Sequence, residues 1–248
     1  MNNVTVITSG KGGVGKSTVT FGLGTVLSKL GKRVLLIDGD AEIGCLDHML
    51  GISEHKVFDI ADIVSGAAEP SKAVYTCAFE PNLFLLPAPA TEEDVISPGI
   101  MKQLVSIFSR FYDYVFIDSP AGVGRSFASA SAAAGRALIV ATPDPVSVHG
   151  ANRAHKRLSA AGECQQRLII NRFSSTAFRN EGYYRDLDSV IDDTGIRLIA
   201  VIPEDPVLAA ATVNAKCPPE RSSGVLALER LAARLLGKQV PLPSLRSF

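Results

Sequence analysis

Nine residues near the start, Gly10-Lys11-Gly12-Gly13-Val14-Gly15-Lys16-Ser17-Thr18, constrain this chain more than any other part of it. They follow Val4-Thr5-Val6-Ile7-Thr8, a β-branched run that reads as a buried strand. They precede Leu23, Val26, Leu27 and Leu30, spaced i, i+3, i+4 and i+7, an amphipathic helix that Gly31 should stop. A glycine-rich turn between a strand and a helix aims backbone N–H groups and the positive end of the helix at one point. That point attracts phosphate.

Two kinds of phosphate turn share this outline. Gly10, Gly12 and Gly15 satisfy the dinucleotide spacing G-x-G-x-x-G, and Asp38 lies at about the distance expected of a ribose ligand. Lys16-Ser17 decides against that reading, because a dinucleotide turn needs neither a lysine nor a hydroxyl at the helix start. A nucleoside triphosphate uses both. Lys16 can reach the β- and γ-oxygens and the Ser17 hydroxyl can coordinate Mg²⁺, while Gly12, Gly13, Val14, Gly15 and Thr18 complete the cradle.

Short apolar runs alternate with helical patterns along the rest of the chain. Val34–Asp38, Leu83–Leu86, Tyr114–Asp118, Ala137–Ala141, Leu168–Asn171 and Arg197–Ile202 read as strands, the last ended by Pro203. Met101, Leu104, Val105 and Phe108 share one helical face, and a shorter helix is expected from Phe58 to Val64. Continuously apolar strands imply a sheet covered on both faces, and strand–helix alternation implies that it is mostly parallel. The expected fold is α/β, a doubly wound P-loop sheet flanked by helices. Without a linker, repeat or low-complexity stretch, residues 1–240 read as one domain and 241–248 as a short tail.

Composition narrows the function classes. Lys+Arg and Asp+Glu both total 25, so no global field draws the protein to nucleic acid or an anionic membrane. Cys45, Cys77, Cys164 and Cys217 are scattered without a C-x-x-C pair, which suits free thiols in a reducing compartment better than a zinc site or a disulfide framework. The N-terminus lacks the pattern of a signal peptide, and no apolar run is long enough to span a bilayer. A cytoplasmic protein is expected.

K-G-G-x-G-K-[ST] resembles the deviant Walker A motif of the MinD/ParA ATPases. The resemblance continues in Asp38-Gly39-Asp40, Asp118-Ser119-Pro120-Ala121-Gly122, Asn171-Arg172 and Val201-Ile202-Pro203-Glu204-Asp205. These motifs follow the family's order, and the wording of Asp118-Ser119-Pro120-Ala121-Gly122 and Val201-Ile202-Pro203-Glu204-Asp205 looks closer to the MinD branch than to plasmid ParA proteins. The resemblance implies an ATPase that takes ATP and Mg²⁺, dimerises when ATP is bound, and answers to a regulatory protein partner. It implies that Lys11 crosses the dimer interface to the phosphates held by the second subunit, much as an arginine finger does. Asp40 would orient the attacking water, Asp38 would support the metal shell, and Asp118 would hold Mg²⁺ through water. Pro120, Ala121 and Gly122 would form a switch that senses the γ-phosphate. Asn171 would read the adenine edge, Arg172 would pack near the ring, and Pro203, Glu204 and Asp205 would close the far side of the base pocket.

Three departures bear on what such an ATPase would serve. Ala41-Glu42-Ile43-Gly44-Cys45-Leu46-Asp47 displaces the glycine of the family's I-G-x-x-N-L-D and puts Cys45 where the asparagine stands. His149-Gly150-Ala151-Asn152-Arg153 lacks the acidic residues of the family's dimer-proximal helix and reads as a surface loop free to vary. Val225, Leu228, Leu231 and Leu235 describe a core-facing helix, and the two prolines of Val240-Pro241-Leu242-Pro243-Ser244-Leu245-Arg246-Ser247-Phe248 leave no room for a basic amphipathic membrane helix. Direct membrane binding is therefore expected to be weak or absent, with attachment to the inner face of the membrane only through a partner. The leading expectation is a spatial regulator of the division-site kind. A ParA-like, DNA-binding segregation ATPase is the alternative, resting on Arg153, Lys156, Arg157, Arg167 and Arg172, but balanced charge makes DNA an unfavoured partner. A metal-cluster carrier would need interface cysteines, and none lies between Cys77 and Cys164.

Overall fold

The computed structural model describes residues 3–41, 44–90, 96–162 and 164–243. Glu42 and Ile43 of the variant segment, and the Leu245, Arg246 and Phe248 tip, lie outside the described residues. Among the described residues, eight strands form one sheet: β1 (Val4–Thr8), β2 (Val34–Asp38), β3 (Tyr75–Cys77), β4 (Glu80–Leu86), β5 (Tyr114–Asp118), β6 (Arg136–Ala141), β7 (Gln165–Phe173) and β8 (Leu198–Pro203). Their order across the sheet is β3-β4-β2-β5-β1-β6-β7-β8. Every pairing is parallel except that of β3 with β4.

Among the described residues, ten α-helices connect and cover the strands: α1 (Lys16–Lys29), α2 (Leu46–Met49), α3 (Ile60–Ser65), α4 (Pro98–Phe108), α5 (Arg125–Ser131), α6 (Pro145–Ala161), α7 (Ser175–Glu181), α8 (Leu187–Thr194), α9 (Pro206–Val213) and α10 (Ser223–Leu235). Side chains alternate across each strand, so a strand buried on both faces feeds two cores. Leu35 and Ile37 of β2 join Met101, Leu104, Ala151 and Val190 on the face of α4, α6 and α8. Val34 and Leu36 join Phe21, Leu23, Leu228 and Leu231 on the face of α1 and α10.

The helices agree with the sequence in their cores and depart from it at their ends. Leu30, expected on the apolar stripe, follows the last helical residue of α1 and is 56% exposed, because Gly31, at φ 79, turns the chain away there. The short helix begins at Ile60 rather than Phe58, since Asp59 makes a capping box with Asp62. In α10, Val225, Leu228 and Leu231 are buried as expected. His149–Arg153 is no surface loop: it lies within α6, with Gly150 and Ala151 buried. Among the described residues no helix is long and apolar enough to cross a membrane.

Candidate active site

The strand order reverses direction around β1, and the loop after β1 lies at the carboxyl edge of the sheet, where doubly wound folds take their ligands. The loop is shaped by glycine. Gly13 and Gly15 have φ 76 and 89, a region that L side chains rarely adopt. A Cβ on Gly15 would lie 2.4 Å from the Asn171 amide nitrogen, so only glycine fits between the loop and β7. Asn171 Nδ2 donates to the Val14 carbonyl at 2.8 Å, and Arg172 Nη1 donates to the Gly13 carbonyl at 3.3 Å. The end of β7 thus latches the loop. Arg172 does so from φ 54, beside the irregularity that separates Ile170 from Phe173 in the β7–β8 pairing.

A cavity of about 500 Å³ lies over this loop. One end is formed by Gly12, Gly13, Gly15, Lys16, Ser17 and Thr18 with Asp40 and Ala121, the other by Asn171, Arg172, Pro203, Glu204 and Asp205. Phosphate-loop and base-pocket residues, more than 150 positions apart, therefore line a single cleft. Ile202, Pro206, Leu208, Ala209 and Met49 add apolar walls that the sequence did not assign. The proline opening α9 directly after Val201–Asp205 was the available signal for Pro206 and Leu208.

Asp38 and Asp118 end adjacent strands in register and are almost fully buried. Asp38 accepts from the Asp40 N–H at 3.0 Å and the Leu46 N–H at 3.3 Å. Burial, reinforced by the Asp118 charge, pushes the Asp38 carboxyl up to about 8. Burial also raises Asp118, to about 6, against the opposing effects of the Ser17 hydroxyl, Lys16 and Thr20. Thr20 Oγ1 donates to Asp118 at 3.1 Å. This second hydroxyl stands one helical turn beyond Ser17 on the same face, a spacing that could have revealed it. β2 stops at Asp38, so Asp40 lies just beyond the strand, where its N–H donates to the Asp38 carboxylate. Asp40 also borders a second cavity of about 320 Å³ with Pro120, Ala121 and Arg125. The switch segment returns to the phosphate loop, where the Ser119 hydroxyl donates to Thr8 at 2.7 Å and the Gly122 N–H to the Ser9 carbonyl at 3.3 Å.

The two loop lysines part company. Lys16 is 8% exposed at the start of α1, inside the cleft. Lys11 points to the other side of the loop, with Nζ 3.5 Å from Asp144 Oδ1 and 43% of its side chain exposed. Asp144 caps α6 through the Ser147 N–H at 3.0 Å and also accepts from the Thr142 hydroxyl. Burial alone would raise its carboxyl, but these bonds and Lys11 outweigh it and hold Asp144 below the usual carboxylate range.

Two lines of comparison extend beyond the site. The ParA family model, described as the NUBPL iron-transfer P-loop NTPase, matches residues 1–174. The septum site-determining protein MinD of Thermotoga maritima is 38% identical over 98% of this chain and 91% of its own length. The chain belongs to the MinD/ParA family of P-loop ATPases. The MinD of Bacillus subtilis is 34% identical over 98% of the chain and 92% of its own. Among solved structures, MinD from the MinC:MinD complex of Aquifex aeolicus superposes with a TM-score of 0.89 at 35% identity, covering 97% of this chain and 98% of that one. MinD of Pyrococcus horikoshii, solved with Mg-ADP, gives 0.84 at 30% identity over 95% and 96%. As for the iron-transfer description, no group of three or more His, Cys, Asp or Glu gathers to hold a metal among the described residues of this MinD/ParA member.

Proposed function

We propose that this MinD/ParA ATPase is a MinD-like nucleotide switch that hydrolyses ATP as an ATP-dependent dimer and uses the cycle to position a regulatory protein partner, as in division-site placement. The observation that carries the reading is the separation of the two lysines: Lys16 lines the cleft, and Lys11 faces away from it beside Asp144. Residues 1–240 act as one catalytic unit, with 241–248 as a tail. The relative solved as a MinC:MinD complex supports a protein partner, and the relative solved with Mg-ADP supports a magnesium nucleotide.

The donor set fits such a ligand. The cradle around Gly12 and Gly13 is open, and two buried carboxylates with a neighbouring hydroxyl are costly to keep ionised without a cation. Ser17, Asp38 and Asp118 would hold Mg²⁺, Asp118 through water, and the ion would supply charge neutralisation at the phosphates. Lys16 and the N–H groups of residues 12–18 bind the phosphates. Asp40, fixed by its bond to Asp38, orients the attacking water from the mouth of the cleft. Pro120, Ala121 and Gly122 report the γ-phosphate. Asn171 offers its amide oxygen to the adenine amine while its nitrogen stays on Val14. Arg172, Pro203 and Glu204 frame the ring. Asp205 contributes position rather than charge, because its carboxylate is occupied by the N–H groups of Val207, Leu208 and Gly224.

Hydrolysis then needs the second copy, whose Lys11 reaches the terminal phosphate. The test is light scattering with ADP and with ATP, together with steady-state hydrolysis. We expect a monomer in ADP, a dimer in ATP, and loss of about a hundredfold in kcat for Lys11→Ala with ADP affinity kept. Wild-type turnover by Lys11→Ala would defeat the cross-subunit role, and salt-sensitive retention on DNA in ATP would move the output to segregation.

A further inference from the structure

Lys11 is carried by a stretch of backbone that is pinned on two sides. From one side the buried Ser9 hydroxyl donates to the Lys11 carbonyl at 2.6 Å. From the other, α6 approaches so closely that a Cβ on Gly10 would lie 1.9 Å from the Gly150 carbonyl oxygen. The reciprocal Cβ on Gly150 would stand 3.0 Å from the Gly10 carbonyl carbon and 3.2 Å from its Cα. These neighbours are backbone atoms that cannot rotate aside. A glycine in the middle of a helix is less stable than alanine, so close contact at Gly150 has a cost that something must offset. The same helix, through its cap Asp144, receives the Lys11 ammonium at 3.5 Å. That pair is partly exposed and weak, so it is easily released and cannot by itself aim the side chain.

We infer that Gly150 and Ser9 are positioning residues for Lys11, setting the backbone from which it reaches the second subunit without touching the nucleotide themselves. The half of the loop that binds its own phosphates is fastened elsewhere, to Asn171 and Arg172, so the two halves can be disturbed separately. Adding one methyl at Gly150 forces the contact with Gly10 to give by a few tenths of an ångström, and removing the Ser9 hydroxyl frees the Lys11 carbonyl. A catalytic group misplaced by about 1 Å can cost about a hundredfold in rate, so smaller displacements should cost about tenfold.

The inference rests on the cross-subunit reading of Lys11, and the experiment keeps the two apart. Gly150→Ala, Ser9→Ala and Lys11→Ala are compared for kcat, ADP affinity and melting temperature, with kcat read well below melting. We expect Gly150→Ala to lose about tenfold in kcat and Ser9→Ala several-fold, with ADP affinity held within about twofold. A purely structural role would lower melting and leave kcat intact. If Lys11→Ala turns over like wild type, the underlying reading fails. If Lys11→Ala is inactive while Gly150→Ala and Ser9→Ala keep wild-type kcat, or lose ADP affinity as much as kcat, the positioning inference alone is overturned. Should Gly150→Ala fail to fold, Ser9→Ala, which adds no atoms, decides.

Discussion

Lys16, 8% exposed, stands in the first turn of α1 beside the buried Asp118, whereas Lys11, five residues earlier in the same loop, leaves 43% of its side chain to solvent. The chemistry of the two side chains is identical, so their surroundings must divide the work. The half of the loop that runs into α1 is latched by Asn171 through the Val14 carbonyl, and a charge placed there acts in a low-dielectric cleft. The half that leaves β1 is held from outside, by Ser9 and α6, and presents its charge outward. A single nine-residue string thus lines a cleft on one side and, in the proposed dimer, would present a charge to the second copy on the other.

The contrast predicts unequal defects. The largest is expected of Lys16→Ala, where both binding and turnover go: kcat/KM should fall by about a thousandfold or more, with nucleotide-induced protection against heat lost. Retention of nucleotide by this variant would erase the division of labour between the lysines. Next, Asn171→Ala removes the Val14 latch and, with it, the proposed base contact, and a loss of about tenfold to a hundredfold in ATP affinity is expected by calorimetry. Asn171→Asp, which lacks the donor, should still fail to hold Val14, so equal affinity in Asp and Asn forms would show that the latch contributes nothing.

A smaller effect separates the two halves by pH. Asp38 and Asp118 hold protons more tightly in the folded chain, at about 8 and about 6, than in the unfolded chain at about 4. Folding therefore takes up protons across that interval, and the nucleotide-free protein should lose stability as pH rises from about 5 towards 8. Adding Mg²⁺ with ADP should flatten the trend, which denaturant titrations would detect. Asp144, held below its usual range, has the opposite sign, because its contribution fades only as acid protonates it. A melting curve that rises between pH 5 and 8 without nucleotide would contradict the burial of the carboxylate pair.

Much of this was legible in the chain because the motif residues sit where strands end. β2 and β5 are largely apolar runs closed by Asp38 and Asp118, and a period of two delivers both cores without knowledge of the neighbours. The opposite case is β3, three residues of mixed burial that are a strand only because β4 lies alongside. Leu30 fitted a helical stripe but fell beyond its end. Gly150 gave no local sign at all. Its meaning is a contact with Gly10, far away in the sequence, and spacing rules see only neighbours. Among the site residues the apolar base wall was hidden for the same reason, since Leu208 and Ala209 look like any helix interior.

Asp205 carries a consequence of its own. One oxygen caps the start of α9, and the other takes the Gly224 N–H at 2.7 Å in the first turn of α10. The rim beside the base and the last helix are therefore bolted to a common post. Any shift of that rim on nucleotide exchange must be carried by α10, which lies across α1 and hence across the far end of the helix that starts at the phosphates.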